Sequence, residues 1–313
     1  MKLHYKKEGF LLENKFIVNV PVATVWTSYD SARELDKDAV TNPSNIEAWL
    51  ESLTYETRLE LCNANLVQTQ ALYGEEVLVI EEKEGWASVI VLNQPSSKDE
   101  RGYPGWVPRD QLIESTPNRN LDEGPIAVVT SKKATLEGEN HDPLLEVSYQ
   151  TMLPVLEEGE FVKVQLPAGS GFLKSTDVKI YPSLSEKRKG NGKDIVVDGE
   201  QFLNLPYLWG GMSSYGYDCS GFSYNMCKAN GYIIPRDAHD QAKAGKSVEV
   251  SDIQPGDLLF FAYEEGKGSI HHVGIYYGNG KLLHSPNTGK VIEIIPLEGT
   301  IYEKELCAAR RYW

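Results

Sequence analysis

The first half of the chain is a series of short apolar runs separated by turn residues. Phe16–Trp26 (FIVNVPVATVW), Glu76–Glu82 and Gly85–Leu92 are rich in β-branched residues, and Gly105-Trp-Val-Pro108 follows them. Runs of this length bordered by Gly, Pro and Asn predict strands. Ser44–Leu66 departs from the pattern. There Ile46, Trp49, Leu50, Leu53, Leu59 and Leu61 recur near helical spacing behind Pro43 and Ser44, which predicts a helical insertion in an otherwise β domain. A repeat is also visible. Gly74–Ile80, Gly85-Trp-Ala-Ser-Val and Gly105-Trp-Val-Pro with Asp110-Gln-Leu are echoed by Glu158–Val164, Gly169-Ser-Gly-Phe-Leu and Ser175-Thr-Asp-Val. Each set reads as a strand, a Gly-aromatic strand and a polar turn. That is the layout of two tandem small β-barrels, in which glycine allows corners and the aromatic fills the core.

Beyond the second barrel the chain changes character. Pro182–Lys193 is polar and glycine-containing, as a linker would be. The expected division is 1–118, a barrel with the helical insertion; 119–183, a second barrel; and 184–313, a third domain. Charge divides at the same place. The 313 residues hold 31 Lys+Arg and 45 Asp+Glu, a net of −14. Residues 1–183 hold 29 acidic against 17 basic residues, and the remainder 16 against 14. An acidic chain lacks the basic face that displaces phosphate counterions, so no nucleic-acid partner is expected. No apolar run approaches the roughly 20 residues that span a bilayer, so no membrane partner is expected either. Cys62, Cys219, Cys227 and Cys307 are scattered without a C-x-x-C pair. This predicts reduced thiols and no structural zinc site. The start of the chain, Met-Lys-Leu-His-Tyr-Lys-Lys-Glu, has no apolar segment after it. A cytoplasmic setting is therefore expected, or a secreted one if a leader has been removed.

The chemistry concentrates in the third domain. Asp218-Cys-Ser-Gly-Phe222 precedes a run free of Pro and Gly that ends at Gly231, so Cys219 is predicted at a helix N-terminus. There the helix dipole favours a thiolate, the nucleophile of acyl transfer. His272 and His284 flank Gly278-Asn-Gly280. The turn predicts a hairpin with one histidine on each arm, which suits a base oriented by a second ring. His271 competes as base, and strand alternation predicts that it points to the opposite face from His272. Cys219, Cys227, His271, His272 and His284 could in principle ligate a metal, but their spacings match no usual zinc pattern. No metal or other cofactor is expected.

Asp218-Cys-Ser-Gly-Phe222, Pro255-Gly-Asp-Leu-Leu-Phe-Phe261, His272-Val-Gly-Ile-Tyr276 and His284, with Pro206-Tyr-Leu-Trp-Gly-Gly211 ahead of them, resemble the ordered motifs of NlpC-type cell-wall cysteine peptidases over about Asp194–Trp313. The resemblance implies an α+β fold: a papain-like catalytic domain preceded by two SH3-like barrels, the first with the helical insertion. It implies Cys219 as nucleophile, His272 as general base and His284 as the group orienting it. Tyr207 would assist the Cys219 amide in stabilising the oxyanion.

The whole layout is similar to the γ-D-glutamyl-L-diamino acid endopeptidases, dipeptidyl-peptidases that release L-Ala-D-Glu from murein peptides. In that subgroup the first SH3-like domain closes the cleft. The Gly102–Trp106 segment looks like the loop that does so, with Tyr103 as its contact. Asp237 would bind the substrate amine, Ser220 the D-Glu portion, and Trp209 would line the cleft. Asp218 and Arg236 complete the implied binding set. Ala238 stands where some members have Ser, which removes one hydroxyl contact to the amine. The expected substrate is a murein tripeptide or longer stem peptide (L-Ala-γ-D-Glu-L-Lys or its diaminopimelate equivalent), recycled from the wall. The competing readings are an amidase or acyltransferase of the same superfamily and a non-catalytic wall-binding protein.

Overall fold

A computed structural model describes residues 15–115 and 121–313. The start of the chain with His4, and the expected boundary at 118/119, lie outside these residues. The described residues form two compact units: 15–93 with 101–115 and 121–187, and 94–100 with 188–313.

The first unit holds both barrels. One is built from β1 (Lys15–Val18), β2 (Val22–Trp26), β3 (Val67–Leu72), β4 (Glu76–Lys83), β5 (Trp86–Val91), β6 (Tyr103–Pro108) and β7 (Leu112–Glu114). The other is built from β8 (Ile126–Val129), β9 (Lys133–Glu137), β10 (Pro143–Ser148), β11 (Met152–Glu157), β12 (Phe161–Gln165), β13 (Ser170–Lys174) and β14 (Val178–Tyr181). The strand order is 3-2-6-5-4-1-7 in the first and 10-9-13-12-11-8-14 in the second, the same order displaced by seven. The repeat seen in the sequence is therefore a repeat of topology. Its echo aligns with β5, β6 and the turn before β7; the counterpart of β4 is β11, which the echo missed.

Two details differ from expectation. Phe16–Trp26 is not one strand: it breaks into β1 and β2 around Pro21, whose ring removes a ladder donor. The aromatic of each Gly-aromatic pair does not fill the core. Trp106 and Phe172 are only partly buried, Trp106 meeting Tyr29 edge-on and Phe172 packing on His141. In these two pairs the glycine is the buried member. A Cβ on Gly105 would lie 2.8 Å from the Trp26 carbonyl, and one on Gly171 2.6 Å from that of Glu137. Both glycines let the barrel strands cross closely.

The helical insertion forms as predicted, with helices at Ile46–Ser52 and Tyr55–Asn63. Trp49 from it is fully buried. Its indole N–H donates to Asp36 Oδ1 (2.8 Å), and its ring lies 6.1 Å from that of Trp26.

The second unit is built on a small hairpin, β15 (Met212–Ser213) and β16 (Gly216–Tyr217), and on a six-stranded sheet. The sheet comprises β17 (Lys246–Ser247), β18 (Leu258–Ala262), β19 (Ile270–Gly278), β20 (Lys281–His284), β21 (Glu293–Pro296) and β22 (Leu306–Arg311), in the order 17-22-18-19-20-21. The apolar run Leu258–Ala262 makes β18 wholly buried. Asp257 fixes its start by a two-pronged contact with Arg311 on β22, at 2.7 and 2.6 Å. Asn279 and Gly280, both at positive φ, make the two-residue turn between β19 and β20. Among the described residues no helix is long and apolar enough to cross a membrane.

Candidate active site

Cys219 opens the helix Cys219–Ala229, and Asp218 caps it. The Asp218 carboxylate accepts from the Gly221 amide at 2.6 Å, satisfying one of the orphan donors of the first turn. The far end closes at Gly231 (φ 81°), where the Gly231 and Tyr232 amides return to the Lys228 and Cys227 carbonyls. Arg236 holds the cap from behind. Its guanidinium donates to Asp218 at 2.6 and 3.2 Å and to Ser220 Oγ at 2.8 Å. With 1% of its side chain exposed, the charge of Arg236 is matched inside the protein. Losing one partner of such a pair leaves an uncompensated buried charge, at about 3–5 kcal/mol.

The segment ahead of the nucleophile lies flush against this helix. A Cβ on Gly221 would stand 2.2 Å from the Gly211 carbonyl, and one on Gly211 2.2 Å from that of Gly216. The glycines of the two motifs therefore permit one close approach. Tyr207, nearly buried, bridges to Tyr217 through its backbone, and Trp209 is half-buried on the same segment.

The thiol differs from expectation. Burial, reinforced by the neighbouring Asp218 carboxylate, pushes Cys219 up to about 12; the Val273 amide, Arg236 and the Ser220 amide pull the other way without prevailing. Burial outweighs the helix dipole because the dipole is worth only about 0.3–1 kcal/mol in most settings.

His272 and His284 meet as predicted, His272 Nε2 lying 2.8 Å from His284 Nδ1. Gly274 on β19 leaves room for β20: a Cβ on it would lie 2.7 Å from Leu282 Cδ1 and 3.0 Å from the His284 Cβ. Burial, then the charges of His284 and His271, hold His272 well below the ordinary histidine value. Burial alone lowers His284 to about 4. Both rings therefore rest neutral at physiological pH, as a proton-accepting pair requires.

His271 does not take the opposite face. The register of β18 against β19 slips between Phe261 and Ala262, which pair with His272 and Ile270. His271 is thereby bulged, and its ring sits 6.4 Å from that of His272. It is engaged elsewhere, bonded to Glu305 (3.0 Å) and stacked on Tyr263 (4.1 Å).

Tyr302 escaped the sequence reading. From the short helix Ile301–Glu305 its ring lies 5.1 Å from both His272 and His284 and 5.0 Å from Phe261. Burial, then the Cys219 charge, pushes its phenol up to about 12. It covers the pair as a neutral ring. The one signal in the sequence was an aromatic in the otherwise charged stretch Tyr302-Glu-Lys-Glu305.

The remaining candidates separate. Asp237 caps the one-turn helix Ala238–Gln241, and its carboxylate lies 3.5 Å from Lys98 Nζ. That lysine belongs to residues 94–100, which lie between β5 and β6 in sequence but pack in the second unit. There the Arg236 amide donates to the Pro95 carbonyl and the Ser97 amide to Asp240, both at 2.9 Å. Tyr103 is the first residue of β6 rather than a loop residue, and it is buried in the first barrel's core. Among the described residues, no group of three His, Cys, Asp or Glu side chains is arranged to hold a metal.

Three known domain descriptions match the chain: NlpC/P60 family over residues 204–311, YKFC SH3b2 domain over 129–181 and Bacterial dipeptidyl-peptidase Sh3 domain over 63–112. The gamma-D-glutamyl-L-lysine dipeptidyl-peptidase of Bacillus subtilis (strain 168) is 50% identical over 291 residues, 93% of this chain and 96% of that protein. The protein of the same name from Bacillus cereus is 41% identical over 305 residues, 96% of this chain and 91% of that one. The crystal structure of an NlpC/P60 family protein from Bacillus cereus aligns over 95% of this chain and 99% of that one, at 41% identity, with a TM-score of 0.92.

Proposed function

The chain belongs to the NlpC/P60 family of cysteine peptidases, and on that premise we propose that it hydrolyses the γ-D-glutamyl-L-lysine bond of murein peptides carrying a free N-terminal L-Ala amine. The observation that carries the proposal is the pair of buried rings of His272 and His284, in contact at 2.8 Å. They belong to a unit in which the Val273 amide, beside His272, reaches the Cys219 thiol.

Cys219 Sγ attacks the γ-carbonyl carbon of D-Glu while His272 takes the thiol proton. Burial pushes the thiol up and holds the imidazole down, so the proton moves to His272 as the carbon–sulfur bond forms. The Cys219 amide, at a helix N-terminus, faces the developing oxyanion with Tyr207. Collapse breaks the carbon–nitrogen bond, and the lysine amine leaves with the proton from His272. Water, deprotonated by the same ring, then attacks the thioester and releases L-Ala-D-Glu and the thiol.

Asp237 is the group for the substrate amine, and the approach of Lys98 supports this by showing that an ammonium reaches its carboxylate. An acylated amine brings no charge to take the place of Lys98 at that carboxylate, which disfavours lactyl-linked wall and favours released peptides. The test is turnover of L-Ala-γ-D-Glu-L-Lys and its N-acetyl form by wild type and Cys219→Ala. Wild type should release L-Ala-D-Glu from the free-amine peptide only, and the variant from neither. Equal turnover by both proteins would end the nucleophile assignment; equal turnover of both peptides would end the role of Asp237.

A further inference from the structure

His284 has two ring nitrogens, and the relay to His272 uses one. The other, Nε2, is buried and has no hydrogen-bond partner among the described residues. A buried imidazole nitrogen left without a partner is costly. The β20–β21 register places Glu293 directly across from His284, with Glu293 Oε1 3.7 Å from Nε2. That is an ion-pair separation rather than a hydrogen bond. The Glu293 side chain is 43% exposed, so rotation about its own bonds can close the gap of under an ångström. The other groups around the pair are already accounted for. Tyr302 presents its ring edge-on to His284, and Glu305 is bonded to His271.

We infer that Glu293 is a positioning residue that sets the order of protons along the histidine relay. The carboxylate accepts from His284 Nε2–H, which leaves a lone pair on Nδ1. That lone pair can accept only if His272 Nε2 carries its proton. His272 Nδ1 is then bare, the form in which His272 acts as base toward Cys219. With the His284 proton on Nδ1 instead, every assignment reverses and His272 would present an N–H to the thiol. The inference rests on the peptidase reading above.

Two measurements on the full chain test it. In 15N-histidine-labelled wild type, His284 Nε2 should give the protonated-nitrogen signal and His272 Nδ1 the bare one; the reverse pattern overturns the inference whatever the variants do. Glu293→Leu should lower kcat on L-Ala-γ-D-Glu-L-Lys by about tenfold or more, short of the ~10²–10⁴ that loss of the base itself costs. KM should stay within about twofold, Glu293→Gln should fall between leucine and wild type, and Glu293→Asp should recover most of the rate. A Glu293→Leu or Glu293→Gln protein that keeps both the wild-type kcat and the wild-type histidine signals overturns the role of Glu293. If Cys219→Ala is dead in the same assay, that result leaves the peptidase reading standing; turnover by Cys219→Ala removes both.

Discussion

The two barrels share one strand order and differ in two connections. In the second barrel, β9 to β10 is closed by a tight turn in which the Gly138 amide meets the Asp142 carbonyl, and β12 to β13 by one in which the Leu166 amide meets that of Gly169. In the first barrel the equivalent connections carry a helical insertion between β2 and β3, and the segment 94–100 between β5 and β6. The comparison teaches that the sheet is the common frame and that the turns hold what is particular. One addition packs its buried Trp49 against Trp26 of its own barrel. The other leaves its barrel for the unit that contains Cys219, contributing hydrogen bonds at Arg236 and Asp240.

The largest expected effect breaks the first addition. Trp49→Ala removes a fully buried indole and one of the hydrogen bonds to Asp36, and should destabilise the first barrel by about 3–5 kcal/mol. Chemical denaturation measures this; an unchanged midpoint would make the insertion mere decoration. A smaller effect comes from making the barrels alike. Replacing Gln94–Glu100 with the Leu-Pro-Ala-Gly turn of the second barrel removes two hydrogen bonds of about 1 kcal/mol each around Asp237. KM for the free-amine tripeptide should rise roughly tenfold, and steady-state kinetics with KM unchanged would separate this segment from the site. The smallest effect comes from Lys98→Met. A half-exposed ion pair is worth about 0.2–1 kcal/mol, so removing Lys98 from Asp237 should lower KM by at most about fivefold. The opposite sign would mean that Lys98 assists binding instead of competing for it.

Much of the site was legible because its chemistry travels in short motifs. Cys219 at a helix start, the Asn279-Gly280 turn and the two histidine arms are local patterns, and local geometry honoured them. The same holds for the glycines, although their function was misjudged: Gly105 and Gly171 serve strand crossings between residues far apart in sequence. What the sequence hid depended on distance. The bulge at His271 comes from a register slip against β18, and no residue of His271-His272 announces it. The raised thiol reflects burial, a sum over the whole unit that outweighs the local dipole. Glu293 and Tyr302 reach the histidines across a strand pair and from a one-turn helix, and neither belongs to a motif.

The segment 94–100 also bears on what counts as a separable piece of this protein. The chain passes between its two units three times, at 93/94, 100/101 and 187/188. A fragment beginning at Arg188 would have a continuous sequence but an incomplete body, because the stretch that carries Pro95 and Ser97 would be missing from it. In this protein the module that can be cloned and the module that is packed are different objects.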